Sequence, residues 1–453
     1  MRSEDGRLGG QLCFECTAEE GIYRCKDCLY AVLFCASCIV EKHKRSPFHR
    51  IQAWEDGFFT SSSLKKLGYV IPLGHDGHCC KGQPDVICDF VVINVSGIHI
   101  TSMRFCSCRR SGVPNTRHDQ LFRHKLFPTT LKLPRATFTF EVLDSFHLLM
   151  LQSKISVFDF YRALKQKTDN TGLKDLPDYY KRFLEVVRAW RDLMAAKCSG
   201  RGHDPEGLRA TKCGQVAVEC PACPHPAHNL PEDWENAPTS RRWLYSLILT
   251  MDANFRLKNR ERVIKNDAQD AEWRAINQAN QKRSASYAST SVGGVVCGRH
   301  GLVRRNGFGD LQKGERFVVL KFHLYGHGTD CQLQYLVNLL PGCAQSDLED
   351  PECWWAHINP VSMSTKLMSP WSRRETIDDH ARRWNWRKIT QFGTSLSKGL
   401  DEAVRMKARH SALHSQFTES FPLDVIHIWE REVSKWEKDP LKPNPFSDNL
   451  RCK

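Results

Sequence analysis

Pairs of cysteines near the N-terminus have the spacing of zinc ligands. Of the 20 cysteines in the chain, eleven lie within the first 108 residues. Two thiolates separated by two residues can grip one tetrahedral ion, and histidine nitrogen is their common companion ligand. Eight residues follow this pattern: Cys13, Cys16, Cys25, Cys28, Cys35, Cys38, His43 and His49.

These eight ligands suit two zinc ions held in a cross-brace over residues 10–52. We expect the first and third cysteine pairs to share one ion, and the second pair to share the other with the two histidines. Each ion then has four protein ligands and no open position, which indicates a structural rather than a catalytic metal. Metal binding would supply the folding free energy of so short a module. The ligand order resembles B-box and related treble-clef-like fingers.

Further groups of cysteine and histidine predict additional zinc sites. A third site would use His75, Cys80, Cys106 and Cys108, with His78 and Cys79 as alternatives, beside a strand pair predicted within Phe90–Ile100. A fourth would use Cys220, Cys223, His225 and His228, unless this proline-containing stretch only turns the chain. A separate set of soft ligands consists of Cys297, His300, His323, His327 and Cys331.

Composition and charge limit the classes of protein that remain. The N-terminus lacks the apolar core of a secretory signal, so we expect zinc-bound thiolates in an intracellular protein rather than disulfides. We find no apolar run of about 18 residues and predict no membrane span. The chain carries 65 Lys and Arg against 51 Asp and Glu, a net charge of +14 that suits a polyanionic partner.

The elements that would position these groups are mixed. Residues 53–135 read as a β region, and residues 136–212 as a helical linker with apolar residues at helical spacing. A buried strand is predicted at Trp243–Met251, ending on Asp252, whose carboxylate would then be held rigidly at a strand end where Mg²⁺ could bind. Residues 395–453 read as two amphipathic helices, Ser395–Phe417 and Pro422–Lys438, followed by a loose tail. Five arginines could bind DNA phosphates or form a solvated basic face: Arg373, Arg374, Arg382, Arg383 and Arg387.

Several long sequence blocks resemble the KDZ (Kyakuja-Dileera-Zisupton) transposases. They are Cys220–Trp234, Trp243–Lys258, Val295–Phe317, Lys321–Tyr335 and Trp354–Pro370. The N-terminal cysteine region resembles the CxC-type cysteine cluster that precedes the catalytic part in that family. The resemblance runs from about Cys13 to Asn449.

This resemblance implies a cut-and-paste DNA transposase with an RNase H-like core, here at residues 213–394, in an overall α+β or α/β fold. It implies that Asp252, in TMDANFRLK, and Glu352 bind catalytic Mg²⁺ or Mn²⁺, with Glu349 as an alternative to Glu352. DNA is the implied partner, the nucleus the implied location, and a homo-oligomer a possible state.

The chain departs from the family where a second catalytic aspartate is expected. The block ending at Phe317 runs directly into the block beginning at Val318, and the strand motif that carries this aspartate is missing. Neither Asp310 nor Asp330 is assigned to its role. Two carboxylates hold two close divalent ions poorly, because the ions repel each other. We therefore expect an inactive, transposase-derived chain or a transcript that lacks a segment; the alternative function is non-catalytic, zinc-dependent binding of DNA or chromatin.

Overall fold

The computed structural model describes residues 10–74, 85–110, 113–212, 214–260, 287–311, 348–439, 442 and 444–446. It divides the chain into two compact units, Met1–Leu193 and Met194–Lys453. The finer division predicted from the sequence, with boundaries near residues 52, 135, 212 and 394, stays a prediction. In the described residues, no helix is long and apolar enough to span a membrane.

In the described residues, the first unit combines three sheets with five helices. Its strands are β1 (Tyr23–Cys25), β2 (Ile51–Glu55), β3 (Phe58–Ser62), β4 (Val70–Pro72), β5 (Asp85–Asn94), β6 (Gly97–Phe105), β7 (Arg109–Arg110), β8 (Val113–Pro114), β9 (Leu126–Pro128) and β10 (Ala136–Thr139). Its helices are α1 (Ala36–His43), α2 (Arg117–Arg123), α3 (Phe140–Ser153), α4 (Val157–Thr168) and α5 (Tyr180–Cys198), of which α5 continues into the second unit.

The N-terminal module has a very small core beside its cysteines. Strands β1, β2 and β3 form an antiparallel sheet. Three buried aliphatic residues, Ile39, Ile51 and Leu64, pack together next to it. So few apolar contacts cannot fold this segment alone, which agrees with metal-dependent folding.

A five-stranded mixed sheet follows, in the order β4-β6-β5-β10-β9. Its centre is the β5–β6 hairpin, in which Asn94 pairs with Gly97, so the strand pair and turn predicted from the sequence are confirmed. Gly97 has a φ of +136°, and a Cβ there would lie 2.5 Å from Thr168 Oγ1, so glycine is required at this turn. The helical region predicted from residue 136 begins instead with β10, whose four residues are all buried and extend the sheet.

The second unit is built around a smaller sheet and long helices. Its strands are β11 (Leu249–Asn254), β12 (Asn259–Arg260), β13 (Tyr287–Ser289), β14 (Ser291–Cys297) and β15 (Val303–Leu311). Its helices are α6 (Arg242–Tyr245), α7 (Asp350–Ile358), α8 (Ser362–Thr365), α9 (Pro370–Glu419) and α10 (Leu423–Lys438). Short 3₁₀ turns lie at Arg201–His203, Leu208–Ala210, Trp234–Asn236, Thr239–Arg241 and Asn359–Val361.

The strands β11, β14 and β15 form an antiparallel sheet with β14 in the centre. The strand predicted over Trp243–Met251 is therefore displaced. Its first half is the short helix α6, and pairing starts only at Leu249, because Trp243 and Leu247 face solvent instead of a core. Asp252 consequently lies inside β11, opposite Gly294, rather than just beyond the strand.

Helix α7 and the first half of α9 pack on this sheet. Trp354 and Trp355 of α7 join Ile377, Ala381 and Trp384 of α9 in one buried cluster. Helix α9 starts at a Ser369 cap with Pro370 in its first turn and continues without a break to Glu419. The helix predicted at Ser395–Phe417 is thus the second half of a longer helix.

Candidate metal centres and carboxylate site

The N-terminal module brings its eight predicted ligands together in two groups. Cys13, Cys16, Cys35 and Cys38 form the first group, and Cys25, Cys28, His43 and His49 form the second. Within each group all ligand atoms lie within 4.8 Å of one another. This is the alternating arrangement expected from the spacing. The third cysteine pair lies at the start of helix α1, with Cys35 as its N-cap residue and Cys38 in its first turn.

The electrostatics of the two groups favour mixed thiolate and thiol states. Burial of Cys13 opposes ionisation, but backbone N–H groups of Cys16 and Cys35 donate towards its sulfur, and its pKa is lowered to about 6. Burial also opposes ionisation of Cys25, yet the His43 side chain outweighs it and the pKa of Cys25 is lowered to about 6. Burial and the neighbouring Cys25 sulfur raise the pKa of Cys28 to about 11. Each group therefore already holds a ready thiolate, the form that binds a metal ion.

An ion pair braces the second group from outside. Asp27 lies between Cys25 and Cys28, and Arg50 follows His49. The Arg50 backbone N–H donates to Asp27 Oδ2 at 2.6 Å, and its Nε donates to Asp27 Oδ1 at 3.0 Å. Despite partial burial, these bonds with Arg50 lower the pKa of the Asp27 carboxyl. The pair joins the two chain segments that carry this group's ligands.

The third predicted zinc site is described only in part. His75 and Cys80 lie outside the described residues, as do the alternatives His78 and Cys79. Cys106 is buried, and the Cys108 backbone N–H donates to its sulfur at 3.2 Å. Gly74, directly before His75, lies so close that a Cβ there would be 2.5 Å from Cys106 Cβ. The chain therefore passes against Cys106 just before the predicted histidine ligand.

The fourth group differs from the sequence-based expectation. Cys220 and Cys223 meet Cys297 and His300 from the β14 end, again with all ligand atoms within 4.8 Å. The Sγ atoms of Cys223 and Cys297 are 3.1 Å apart, and His300 Nδ1 is 3.3 Å from Cys220 Sγ. The group is therefore made of two knuckles, about 75 residues apart in the chain, that were predicted as parts of separate sites.

His225 and His228 are not part of this group, so their prediction as its ligands is wrong. The ring nitrogen Nε2 of His225 lies 2.8 Å from the Cys220 carbonyl oxygen, which turns it to the backbone. His228 is exposed. The Cys297-x-x-His300 spacing was the signal that could have indicated the correct partner.

The fourth group shows the same electrostatic pattern as the finger. The sulfurs of Cys220 and Cys297 raise the pKa of His300 to about 9, although burial opposes this. Hydrogen bonds from Cys220 and Cys223 lower the pKa of Cys297 well below its usual range, and the same pairings raise that of Cys223. The Cys297 sulfur therefore carries the negative charge of the fourth group, and a bound cation would stabilise that charge.

The fourth group is tied to the C-terminal helices. Gly301, with a φ of +65°, accepts a hydrogen bond from Trp384 Nε1 at 2.8 Å through its carbonyl. The Phe392 ring lies 5.6 Å from the His300 ring. Asn385 donates to the carbonyls of Val218 and Val303, both at 2.8 Å. These contacts fix the strands around the knuckles to helix α9.

The two predicted carboxylates lie on elements that touch. The Trp355 indole N–H of helix α7 donates to Asp252 Oδ2 at 2.7 Å. The indole fits only because residue 294 is a glycine, since a Cβ there would lie 2.7 Å from the Trp355 ring. Glu352 precedes Trp355 by three residues, so both side chains are on the same side of α7.

Asp310, which is itself exposed, forms an ion pair with a buried arginine. The guanidinium of Arg373, which is only 2% exposed, pairs with Asp310 and donates to the Leu257 carbonyl at 2.9 Å. The Ser289 hydroxyl donates to the same carboxylate at 3.2 Å. The prediction that Arg373 belongs to an exposed basic surface is therefore wrong, because its charge neutralises Asp310 inside the unit. Arg374 and Arg387 are exposed, as predicted.

Across the described ranges, groups of three or more possible metal ligands are formed by cysteine and histidine alone. Asp252 and Glu352 belong to none of them. The described geometry therefore supplies tetrahedral soft-ligand sets of the kind that suits zinc, and a pair of carboxylates rather than a cluster.

Two protein-family models match this chain. A model of the CxC2 like cysteine cluster associated with KDZ transposases matches residues 64–172. A model of the Kyakuja-Dileera-Zisupton transposase matches residues 261–318 and 315–385. The chain belongs to the KDZ transposase family. No curated protein and no solved structure matches the chain.

Some of the candidate residues lie within the segments that match these family models, and others lie outside them. Cys106, Cys108, Glu352 and Arg373 lie within matched residues. Asp252 precedes the transposase match, and the N-terminal finger precedes the cysteine-cluster match. The chain is thus a transposase-derived protein of mixed α and β structure, with soft-ligand clusters compatible with structural zinc.

Proposed function

We propose that this KDZ protein is a zinc-folded, nuclear DNA-binding protein that has lost metal-dependent strand transfer. The observation that carries the loss is the state of the described carboxylates. Asp252 is bonded to Trp355, and the nearby Asp310 is neutralised by Arg373. A two-metal reaction needs several carboxylates around one point, and among the described residues the candidates are Asp252 and Glu352, with Glu349 as the alternative to Glu352.

The zinc part of the proposal rests on the three complete four-residue groups. Zinc would be held by Cys13, Cys16, Cys35 and Cys38; by Cys25, Cys28, His43 and His49; and by Cys220, Cys223, Cys297 and His300. A third N-terminal ion would be held by Cys106 and Cys108 with His75 and Cys80. All of these sites would be structural, because each already has four protein ligands.

The DNA part rests on the family and on charge. A net charge of +14 gives a sequence-independent attraction to phosphates, and exposed arginines such as Arg374 and Arg387 are available for contacts. We also propose that β11, β14, β15 and α7 belong to an RNase H-like core, in which Asp252 and Glu352 would be the remaining Mg²⁺ or Mn²⁺ ligands.

One experiment separates binding from chemistry. The full chain, purified with zinc, is titrated with a labelled DNA duplex over a series of salt concentrations, and the same duplex is incubated with Mg²⁺ or Mn²⁺ to detect nicking. We expect binding that weakens steeply with salt, is lost after zinc chelation and is unchanged in Asp252→Asn, with no metal-dependent nicking. Nicking that disappears in Asp252→Asn would show an active enzyme. Failure of the zinc-loaded chain to bind at low salt would exclude DNA binding.

A second candidate function, active strand transfer, is favoured by the form of the family match. The two matched pieces meet at residues 315–318, where the missing aspartate motif is expected, a region outside the described residues. Sequencing the transcript across the codons for Arg316 to Val319 tests this. An extra in-frame segment containing the aspartate would restore the enzyme hypothesis, whereas the junction as written would leave only binding.

A further inference from the structure

We propose that a second copy of this chain packs on a helical arm formed by residues 395–438. The arm consists of the second half of α9, the turn at Ser420–Pro422, and α10. The inference is independent of DNA binding, and it gives the expected homo-oligomer a defined surface.

The α9 part of the arm carries an exposed row of apolar side chains, called here the seam. The seam continues a row begun by Ile389 and Phe392, which pack beside the fourth metal group. Its members are three or four residues apart, as in a helix–helix interface, except for one seven-residue step from Met406 to Leu413: Leu396, Leu400, Ala403, Met406, Leu413 and Phe417. Leu400 is 66% exposed and Phe417 is 63% exposed, so the seam faces solvent.

The apolar side of α10 joins this seam at the turn. Phe421 contacts Phe417 with ring centroids 5.0 Å apart, and it contacts Trp429 of α10 at 5.2 Å. Trp429 is 45% exposed and is followed along the same side of the helix by Val433. The two helices therefore present one continuous apolar surface rather than two unrelated patches.

The charge of the arm points to a second copy as the occupant. Residues 395–438 carry seven Lys and Arg and seven Asp and Glu, although the whole chain has 65 against 51. A neutral surface of interspersed charges does not attract a polyanion such as DNA, and it allows two identical arms to approach without net repulsion. The seam of α9 from Leu396 to Phe417 extends about 32 Å, so about six turns of helix could pack along a second copy.

The test measures the association state of the full, zinc-loaded chain by sedimentation velocity over a wide range of concentrations. The variant Leu413→Glu/Phe417→Glu places two charges on the seam, and Ala408→Glu/Ala412→Glu places the same charges on the opposite side of α9. We expect a wild-type dimer, a dissociation constant raised at least about 100-fold by the seam variant, and no change in the control.

Hydrogen exchange provides a readout that does not depend on a variant. We expect peptides within residues 396–433 of the wild-type chain to gain protection as concentration rises, while peptides from the first unit do not. A wild-type monomer at all concentrations, or a dimer that the seam variant leaves intact, would overturn the proposal. If both variants lose the dimer and circular dichroism shows loss of helix, the exchange measurement on the wild-type chain decides. Protection of the arm that does not depend on concentration would then overturn the proposal.

Discussion

At the scale of single residues, the fourth metal group depends on which histidine completes it. His300 lies 3.3 Å from Cys220 Sγ, whereas His225 is turned to a backbone carbonyl and His228 is exposed. His225 and His228 are close to the Cys220–Cys223 pair in sequence, whereas His300 is close to it only in space, so substitution can distinguish them.

We predict that His300→Ala removes one equivalent of tightly bound zinc from the full chain, because three ligands hold the ion far less well than four. His225→Ala is the matched control and should keep the wild-type zinc content. The measurement is zinc release to a chromophoric chelator, followed by elemental analysis. Equal zinc loss in both variants would mean that the group is assembled differently in solution.

A half-buried histidine in the central hairpin predicts a pH dependence. Burial lowers the pKa of His99 in β6 to about 4, against about 6.5 in an unfolded chain. The folded state thus binds fewer protons than the unfolded state between these values, and the stability that the neutral ring permits is lost as pH falls from about 6.5 to about 4.

We expect His99→Gln to abolish this contribution, which amounts to about 2 kcal/mol between pH 7.5 and pH 5. The measurement is hydrogen exchange of peptides from β5 and β6 at both pH values, corrected for the intrinsic exchange rate. The exposed His203→Gln is the control and should keep the wild-type slope. A slope that is the same in all three proteins would exclude His99 as the cause.

At the scale of elements, the contact between β14 and α7 positions the candidate carboxylates. Trp355 can lie over the sheet and donate to Asp252 only because Gly294 has no side chain. Gly309, on the neighbouring strand β15, has open space around it, so the two glycines form a natural pair for comparison.

We predict that Gly294→Ala destabilises the second unit by about 1–3 kcal/mol, the usual cost of forcing extra volume into a packed contact. Gly309→Ala should change stability by less than about 0.5 kcal/mol. Urea unfolding followed by tryptophan fluorescence measures both, since Trp354 and Trp355 report on this contact. Equal stability of the two variants would contradict the packing described here.

At the scale of the whole molecule, metal binding and apolar burial stabilise different regions. The apolar cluster beside the finger has three fully buried members, Ile39, Ile51 and Leu64, whereas the five-stranded sheet buries a larger apolar cluster that includes Phe90, Met103 and Leu121. The second unit has both kinds of support, since its fourth metal group adjoins a tryptophan-rich core.

We expect zinc chelation to unfold residues 10–52 and to loosen the Cys297–Gly301 turn, while β5, β6 and β10 remain protected from hydrogen exchange. Exchange measured with and without a zinc chelator, and again after zinc is restored, tests this. Uniform loss of protection over the whole chain would show that zinc supports every region, and unchanged finger peptides would show that zinc is not structural there.

The sequence by itself determined the features that depend on neighbours along the chain. The finger ligands follow from Cys-x-x-Cys spacing, the β5–β6 turn from a glycine between two apolar runs, and the family from long blocks of sequence. Local geometry is sufficient in each case because the groups that interact are joined by short segments.

The tertiary structure alone decided which distant groups meet. Cys220 finds Cys297 and His300 because β14 ends beside it, and Arg373 becomes buried because Asp310 lies opposite it on β15. The exposed seam of α9 is likewise a tertiary feature, because the sheet covers only the first half of this long helix. Such contacts depend on packing between elements that are far apart in sequence, and local spacing can show that a residue pair is a ligand pair without showing which distant pair it meets.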